Sequence, residues 1–347
     1  MRHPAVIRLL AILCMTTLVC ADETLTWNQL PPLPDALGVA APFAGVSNGA
    51  LVVAGGANFP GKMPWEGGKK MWNDRVWVLD APDGKWRDAG KLPRPIGYGV
   101  SVTHGDGVVC VGGSDAQRHS AETFRLLWKA GALVVEPLPP LPITLSGSCG
   151  ALAGDTLIVA CGAEQPGEQA ASSRAFALDL AAKSPAWREL PPLPAAPRIL
   201  AAAAAHDGTF YLFGGASLAA GADGKIARTY LREAWSYRAE QGWQRLADLP
   251  KPGVAAPSPA PFVNGKFLVL AGDDGSRAGF QPLEKHPGFP NVILAYDPAL
   301  GHWSEAGEVP APRATVPCVE WRGAFIIPSG EARPGVRSPE VWSFRSR

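Results

Sequence analysis

The chain has 347 residues, and 32 Lys and Arg stand against 31 Asp and Glu, so its formal charge is +1. A protein that binds nucleic acid needs a basic surface, and this balance argues against that class. With 18% charged and 47% hydrophobic residues, the composition excludes a disordered acidic tail. The 39 Gly and 35 Pro favour many tight turns between short strands.

The first 21 residues have the pattern of a secretory signal peptide. Arg2 and Arg8 give a positive start, and the apolar stretch that follows is too short to span a bilayer comfortably. Small residues before Asp22 predict cleavage there, and a lipoprotein cut before Cys20 is the less favoured alternative. We therefore expect an exported, periplasmic protein of residues 22–347 with no membrane insertion after the signal is removed.

Four cysteines remain after the leader, and each lies in a separate apolar run: Cys110, Cys149, Cys161 and Cys318. No spacing typical of a zinc site occurs, so we predict no metal centre. Burial as small hydrophobic residues is the favoured interpretation. A disulfide between Cys149 and Cys161 across a hairpin is the alternative, since export permits disulfides.

A unit of about 54 residues recurs along the chain, close to the length of a kelch-type propeller blade. Its clearest mark is a second strand that ends in a pair of small residues. The six copies are LVVAGG (51–56), VVCVGG (108–113), LIVACG (157–162), FYLFGG (210–215), LVLAGD (268–273) and FIIPSG (325–330). The sequence therefore predicts an all-β, six-bladed kelch-type β-propeller as one domain.

Most units close with Trp and a Leu-Pro stretch, and we expect these tryptophans to pack between blades. The last unit lacks this segment, whereas an unassigned copy, Trp27 to Pro34, stands at the start of the mature chain. The N-terminal strand should therefore join the C-terminal blade and close the ring.

Several enzyme classes lack their motifs here, because the sequence has no P-loop, no GxGxxG turn that opens a helix, no HExxH and no GxSxG nucleophile elbow between a strand and a helix. Candidate site residues come instead from the position after each second strand, which should lie on the rim of the central channel. Those residues are Ala57, Ser114, Ala163, Ala216, Asp274 and Glu331. The carboxylates Asp274 and Glu331 stand out, with a rim salt bridge as the alternative interpretation of each.

Glu331 begins a segment in which Arg337 follows six residues later, across a turn set by Pro334 and Gly335. The loop is short enough for both side chains to reach one cavity. A carboxylate acting as general acid or base beside a guanidinium that binds an anionic group fits this pair.

These residues carry a family resemblance. The run GEARPGVR (330–337) resembles the G-E-A-K-P-G-L-R segment of the sialic-acid mutarotases, also called N-acetylneuraminate epimerases. The segments FAGVSNGALVVAGGANFPGK (43–62), GGKKMWNDRVWVL (67–79), GYGVS (97–101) and PRILAAAAAHDGTFYLFGG (197–215) are similar to that family as well. The GEARPGVR blade comes last here, so the chain resembles the cyclically permuted branch of the family.

The resemblance implies a propeller that interconverts the α and β anomers of N-acetylneuraminate, an acidic sugar, without a cofactor. It makes Glu331 the catalytic glutamate and Arg337 its partner. Arg198 lies on a matching Pro-Arg pair, and three residues in the first long loop match more loosely. The candidate substrate-binding residues are Arg198, Asn58, Lys69, Lys70 and, from the rim pattern, Asp274.

Three other functions remain open. A non-catalytic kelch module that binds carbohydrate or protein is the main alternative. A copper radical oxidase would need Tyr and His ligands around the channel, and the chain has five Tyr and no suitable His cluster. A lyase or hydrolase on acidic sugars is the third.

Overall fold

The computed structural model describes residues 25–167, 170–221 and 225–346. The predicted signal peptide, residues 1–21, lies outside the described residues. Within the described part, no helix has the length and apolar character needed to cross a bilayer.

Six antiparallel sheets of four strands each build the protein, which confirms the predicted six-bladed β-propeller. We number these sheets as blades I to VI. Blade I contains Phe43–Ser47, Ala50–Ala54, Arg75–Leu79 and Arg87–Lys91. Blade II contains Val100–His104, Gly107–Val111, Thr123–Lys129 and Ala132–Leu138. Blade III contains Cys149–Ala153, Thr156–Ala160, Ala175–Asp179 and Trp187–Leu190.

Blades IV and V are built in the same order of strands, and blade VI takes its outermost strand from the start of the described chain. Blade IV contains Ala202–His206, Thr209–Phe213, Ala234–Arg238 and Gly242–Arg245. Blade V contains Phe262–Val263, Lys266–Leu270, Val292–Asp297 and His302–Glu308. Blade VI contains Val319–Trp321, Ala324–Pro328, Val341–Ser346 and Leu25–Leu30.

Short elements in the loops complete the described structure. Three two-stranded hairpins pair Ala57–Asn58 with Met71–Trp72, Ala216–Ala220 with Ile226–Tyr230, and Glu331–Arg333 with Val336–Arg337. Two 3-10 helices cover Pro64–Glu66 and Leu283–Lys285.

The hydrophobic core lies in layers between neighbouring blades. Alternate residues of one strand enter different layers, because successive side chains of a β-strand point to opposite faces. In blade I, Val52 shares a layer with Phe124 of blade II, whereas Leu51 and Val53 share one with Ile326 of blade VI. These strands are buried on both faces and therefore appear in the sequence as continuous apolar runs.

The first described strand completes the last blade. Leu25–Leu30 pairs antiparallel with Val341–Ser346, and Trp27 stands opposite Phe344 with ring centroids 4.5 Å apart. The predicted closure of the ring by the N-terminal segment is confirmed. The pairing covers the hydrogen-bonding edge that Val341–Ser346 would otherwise expose.

The blade-closing tryptophans join neighbouring blades, as predicted. Each indole Nε1 donates to a backbone carbonyl in the Leu-Pro segment of the preceding blade at 2.7–2.8 Å. The pairs are Trp86 with Pro31, Trp187 with Pro139, Trp243 with Pro191, and Trp303 with Ala247.

A closed belt of six backbone hydrogen bonds surrounds the central channel. Its members, which we call the inner belt, are Ala41, Tyr98, Gly147, Leu200, Ala255 and Thr315. Each N–H donates to the carbonyl of the preceding member at 2.6–3.0 Å, and Ala41 donates to Thr315 to close the circle. All six have φ between 51° and 64°, a left-handed conformation that only Gly adopts without cost. The same six residues line the channel.

The four cysteines of the described chain are free, buried thiols. Ala160 rather than Cys161 stands opposite Cys149, whose Sγ donates to the Ala160 carbonyl at 3.6 Å. The structure therefore contains no Cys149–Cys161 disulfide, and the thiols act as small hydrophobic groups.

Candidate functional site

The rim of the channel is formed by one residue from each blade, which lies three positions after the last residue of the second strand. A single antiparallel bridge joins each rim residue to the residue just before an inner-belt member. The rim residues are Ala57, Ser114, Ala163, Ala216, Asp273 and Glu331.

Asp273, not the predicted Asp274, occupies the rim of blade V. Ala271 and Gly272 take the place of the Gly pair, with φ of 59° and 92°, so the rim falls one residue earlier than the Gly-Asp sequence indicates. Asp274 instead caps its own turn, because its Oδ1 accepts from the backbone N–H and the hydroxyl of Ser276 at 2.9 and 2.5 Å.

Glu331 and Arg337 face each other across the short hairpin of blade VI, as the sequence predicts. They are cross-strand partners, and Nη1 of Arg337 lies 3.2 Å from Oε1 of Glu331. The backbone N–H of Gly335 donates to the same oxygen at 2.7 Å. Since both donors reach Oε1, the lone pairs of Oε2 remain for a substrate proton.

The rest of the Arg337 guanidinium is held by blades I and II. Its Nε donates to the carbonyl of Ala57 at 3.3 Å, its Nη2 lies 3.4 Å from the Tyr98 hydroxyl, and its carbon lies 4.8 Å from the centroid of the Phe59 ring. The side chain is only 3% exposed. Contacts on three sides fix the plane of the guanidinium, which favours directional binding of an anion.

Glu331 and Arg337 line a cavity of about 310 Å³ at the mouth of the channel. Lys70 also lines it, with its ammonium 4.7 Å from the ring centroid of Tyr98 and 5.4 Å from that of Trp72. The inner-belt residues Tyr98, Leu200, Ala255 and Thr315 contribute to the same cavity. The cations Arg337 and Lys70 therefore line the same cavity as the Glu331 carboxylate.

A second polar group, from blades IV and V, lines the same cavity. It consists of Asp273 and Arg228, with Tyr230 behind them, and the Tyr230 hydroxyl donates to Oδ2 of Asp273 at 3.0 Å. Burial, and secondarily the Asp273 charge, raises the pKa of Tyr230 to about 12. The phenol therefore keeps its proton at neutral pH.

Of the five predicted substrate-binding residues, only Lys70 lines this cavity. Asn58 is buried and serves the fold, since its Nδ2 donates to the Gly38 carbonyl at 3.0 Å and to Asp35 at 3.2 Å. Lys69 is exposed and lies outside the cavity lining.

Arg198 also lies outside the cavity, and its donors are used within the fold. It is fully buried, forms an ion pair with Glu233, and donates to the carbonyls of Gly214 at 3.1 Å and Ala196 at 3.0 Å. A guanidinium enclosed in this way stabilises the blade and is not available to a substrate.

The same ion pair recurs in other blades, which explains the Pro-Arg match at Arg198. After a comparable Pro, Arg94 pairs with Glu122 at 3.0 Å and Arg313 pairs with Glu340 at 2.5 Å. In each case the glutamate directly precedes the third strand of a blade. The Pro-Arg pair is thus a repeated element of the propeller, and this recurrence was visible in the sequence.

Four cavity-lining or supporting residues were not predicted: Tyr98, Arg228, Tyr230 and Asp273. The sequence offered a clue to Tyr98, because this residue lies in the GYGVS segment that resembles the family. In the structure its backbone is left-handed, with φ of 64°, which is unusual for a bulky residue. Arg228 and Tyr230 lie in the long loop between the second and third strands of blade IV, and no local pattern there indicates which side chains face the cavity. Among the described residues, no His, Cys, Asp and Glu side chains gather in a group of three or more that could hold a metal ion.

Together these observations define a kelch-type propeller with a carboxylate–guanidinium pair in the mouth of its channel. Residues 14–135 match the family model described as N-acetylneuraminate epimerase. The resemblance predicted from the sequence is therefore confirmed over this part of the chain.

Individual relatives agree with this match. An N-acetylneuraminate epimerase of Salmonella enteritidis PT4 is 43% identical over 111 residues, a segment that covers 28% of each chain. Its counterpart in Yersinia enterocolitica serotype O:8 is 40% identical over 131 residues, or 32% of each chain. The chain thus spans less than a third of the length of the curated relatives it matches.

A solved structure extends the likeness of the fold. The structure titled "Structure of YjhT" superposes with a TM-score of 0.63 over 90% of this chain and 96% of that chain, at 16% sequence identity. This similarity concerns the fold alone.

Proposed function

We propose that this protein is a mutarotase that interconverts the α and β anomers of N-acetylneuraminate. The observation that carries the proposal is the Glu331–Arg337 pair in the cavity at the channel mouth. The similarity of residues 14–135 to N-acetylneuraminate epimerases supports the choice of substrate. Acidic sugars suit a cavity in which Arg337 and Lys70 supply two cations.

We further propose that the chain is a cyclically permuted form of these enzymes. A match in linear order cannot follow a segment that has moved from one end of the chain to the other. The family match covers residues 14–135, whereas the similarity of the fold covers 90% of the chain. A permuted GEARPGVR segment (330–337) would account for this difference. A propeller tolerates such a permutation because its termini meet within one blade.

In the proposed reaction, Glu331 acts as the general base. Its Oε2 accepts the proton of the anomeric hydroxyl while the ring oxygen takes up a proton from solvent. The bond between the anomeric carbon and the ring oxygen breaks, and the anomeric carbon becomes a carbonyl. The open-chain keto acid rotates about the adjacent carbon–carbon bond, and the reverse steps close the ring on the other carbonyl face. The proton count at the end equals that at the start.

Arg337 and Lys70 orient the substrate in this scheme. The guanidinium is planar and fixed on blades I and II, so it can donate to a carboxylate from a defined direction. Holding the carboxylate keeps the neighbouring anomeric carbon near Glu331 while the ring is open. Orientation of this kind lowers the entropic cost of each ring closure.

The proposal is tested by measuring anomer exchange with magnetisation-transfer NMR. The exchange rate of N-acetylneuraminate should rise in proportion to the protein concentration, and that of N-acetylmannosamine, a neutral sugar, should stay at its spontaneous value. Equal acceleration of both sugars would indicate a general aldose mutarotase. Binding of N-acetylneuraminate without faster exchange would favour a non-catalytic kelch module.

We also propose that the protein is exported, with residues 1–21 removed. The positive start and short apolar stretch of the leader support this. Mass spectrometry of protein purified from the periplasm should find a terminus at or near Asp22. An intact Met1 on cytosolic protein would contradict export.

A further inference from the structure

The cavity at the channel mouth contains a second carboxylate, on the neighbouring blade V, that the proposed reaction does not use. Asp273 stands at the rim of blade V, where three other blades place Ala. Both of its oxygens are fixed, because Oδ2 accepts from the Tyr230 hydroxyl and Oδ1 accepts from the Gly275 N–H, each at 3.0 Å. The carboxylate is therefore held in one orientation at the cavity wall.

Tyr230 is itself locked against the backbone of blade V. A Cβ atom on Gly275 would lie 2.8 Å from Cγ of Tyr230, so the ring packs directly on the glycine. Gly275 has φ of 77°, which favours glycine at this turn. Since the phenol keeps its proton, it acts as a fixed donor to Asp273 and not as a second acceptor.

An ionised carboxylate can accept about four hydrogen bonds. In Asp273, the Tyr230 hydroxyl and the Gly275 N–H use two of these positions. The remaining positions suit neutral donors such as hydroxyl or amide N–H groups. They disfavour the carboxylate of an acidic sugar, which the like charge of Asp273 repels. Arg228 lines the same wall and offers N–H donors to hydroxyl oxygens.

The two groups of polar side chains therefore favour different parts of a substrate. Arg337 and Lys70 attract an anion, whereas Asp273 attracts groups that donate hydrogen bonds. We propose that Asp273, positioned by Tyr230, forms a polyol subsite that binds the hydroxylated side chain of the sugar. This inference rests on the proposed function, because it assumes that the carboxylate end of the substrate lies at Arg337.

The subsite predicts selectivity for long acidic sugars. N-Acetylneuraminate has a three-carbon glycerol side chain with several hydroxyl donors. Mild periodate cleavage and borohydride reduction of a glycoside of N-acetylneuraminate shorten this chain by two carbons, because the glycosidic bond protects the anomeric centre from the reductant. Removal of the aglycone then gives the free shortened sugar with its ring, carboxylate and anomeric centre. The shortened sugar should lose its contact with Asp273 and retain its contacts with Arg337 and Glu331.

The test compares anomer exchange of both sugars in three variants. With N-acetylneuraminate, Asp273→Asn should raise KM about 10-fold with kcat unchanged within about twofold, as expected when a hydrogen bond to a charged group is lost. Tyr230→Phe should raise KM about threefold by freeing the carboxylate to rotate. Asp274→Asn is the matched control and should change neither constant, because Asp274 accepts from Ser276 in its own turn.

With the shortened sugar, all three variants should behave like the parent protein. A loss of kcat in Asp273→Asn that is equal for both sugars would make Asp273 a proton-transfer residue and overturn the polyol subsite. Unchanged constants for both sugars would overturn it as well. If Asp273→Asn does not fold, the KM effect of Tyr230→Phe on the two sugars decides between these outcomes.

Failure of the proposed function would give a different result. In that case the parent protein would accelerate exchange of neither sugar. Saturation-transfer difference NMR then tests the subsite by binding alone. The protons of the glycerol side chain of N-acetylneuraminate should receive saturation from the parent protein and should receive none from Asp273→Asn. If they receive no saturation from the parent protein, the subsite is rejected.

Discussion

Glu331 and Arg337 are cross-strand partners in a two-stranded hairpin, with Nη1 and Oε1 3.2 Å apart. The turn between them brings Gly335 to donate to the same carboxylate. A Cβ atom on Gly335 would lie 2.8 Å from Cγ of Pro64, so the turn also packs against the long loop of blade I. The pair is thus formed by seven residues of local sequence, 331–337, and then positioned by a neighbouring blade.

Glu331→Gln should lower the catalysed exchange of N-acetylneuraminate about 10²- to 10⁴-fold, the range for loss of a general acid–base group. The amide is nearly isosteric and can still accept from Gly335, so folding and substrate binding should persist. Magnetisation-transfer NMR measures the exchange, and calorimetry measures the binding.

Glu320→Gln is the matched control for this variant, because Glu320 lines a separate cavity at the opposite end of the propeller. Its exchange rate should equal that of the parent. A Glu331→Gln protein that exchanges anomers at the parent rate would assign the proton transfer to another group.

Arg337→Lys should weaken substrate binding by about 1–3 kcal/mol, the range for hydrogen bonds to charged groups. The lysine keeps the positive charge but loses the planar pair of donors that contacts Glu331 and Tyr98. Titration calorimetry with N-acetylneuraminate measures the change. Affinity equal to that of the parent would mean that charge alone binds the anion.

Arg198→Ala should affect stability and leave substrate affinity unchanged. The substitution leaves the Gly214 carbonyl and the Glu233 carboxylate without a buried donor, which costs about 1–3 kcal/mol in the free energy of unfolding. Arg245→Ala is the control: Arg245 lies 3.9 Å from the same carboxylate and is half exposed, so its loss should cost less than the loss of Arg198. Denaturant titration compares the two, and weaker substrate binding in Arg198→Ala alone would restore Arg198 to the site.

Removal of Leu25–Leu30 should abolish cooperative unfolding of the propeller. Without this strand, Val341–Ser346 becomes an open edge and Phe344 loses the Trp27 ring that stacks on it. Thermal unfolding followed by circular dichroism measures the transition. A chain that begins at Leu25 should melt like the mature protein, and one that begins at Asp35 should not.

The buried thiols should resist modification in the folded protein. Burial raises the pKa of Cys161 to about 12 and raises those of Cys110, Cys149 and Cys318, and the thiolate is the form that reacts. In a chain that begins at Leu25, a thiol reagent at pH 8 should therefore react only after denaturant is added. All four thiols should then react without a reductant, and only two would react if Cys149 and Cys161 formed a disulfide.

The blade architecture could be predicted because each repeat contains its own local signals. Apolar runs, paired small residues and closing tryptophans recur at a fixed spacing, and the unassigned Trp27 segment indicated how the ring closes. The Glu331–Arg337 pair was equally accessible, since both members lie within one short hairpin.

Other parts of the site depend on contacts that a local pattern does not contain. The Gly-Asp sequence at 272–273 resembles the Gly pair of other blades, but Ala271 adopts the first left-handed position, so the rim moved by one residue. Tyr98 meets Arg337 across 239 positions of sequence, and Tyr230 meets Asp273 across 43. The first contact needs the closed ring, and the second needs the packing of two neighbouring blades.

The inner belt also determines what the channel contributes electrically. Its six residues follow one another around a circle, and the backbone N–H of each donates to the carbonyl of the preceding one. Each peptide group carries a dipole of about 3.5 D, and dipoles that circulate around a closed path cancel within its plane. The belt therefore adds no net dipole that points across the channel toward any one blade. The polarity that a bound sugar experiences across the mouth comes from rim and loop side chains, so substitutions there can change it without altering the belt.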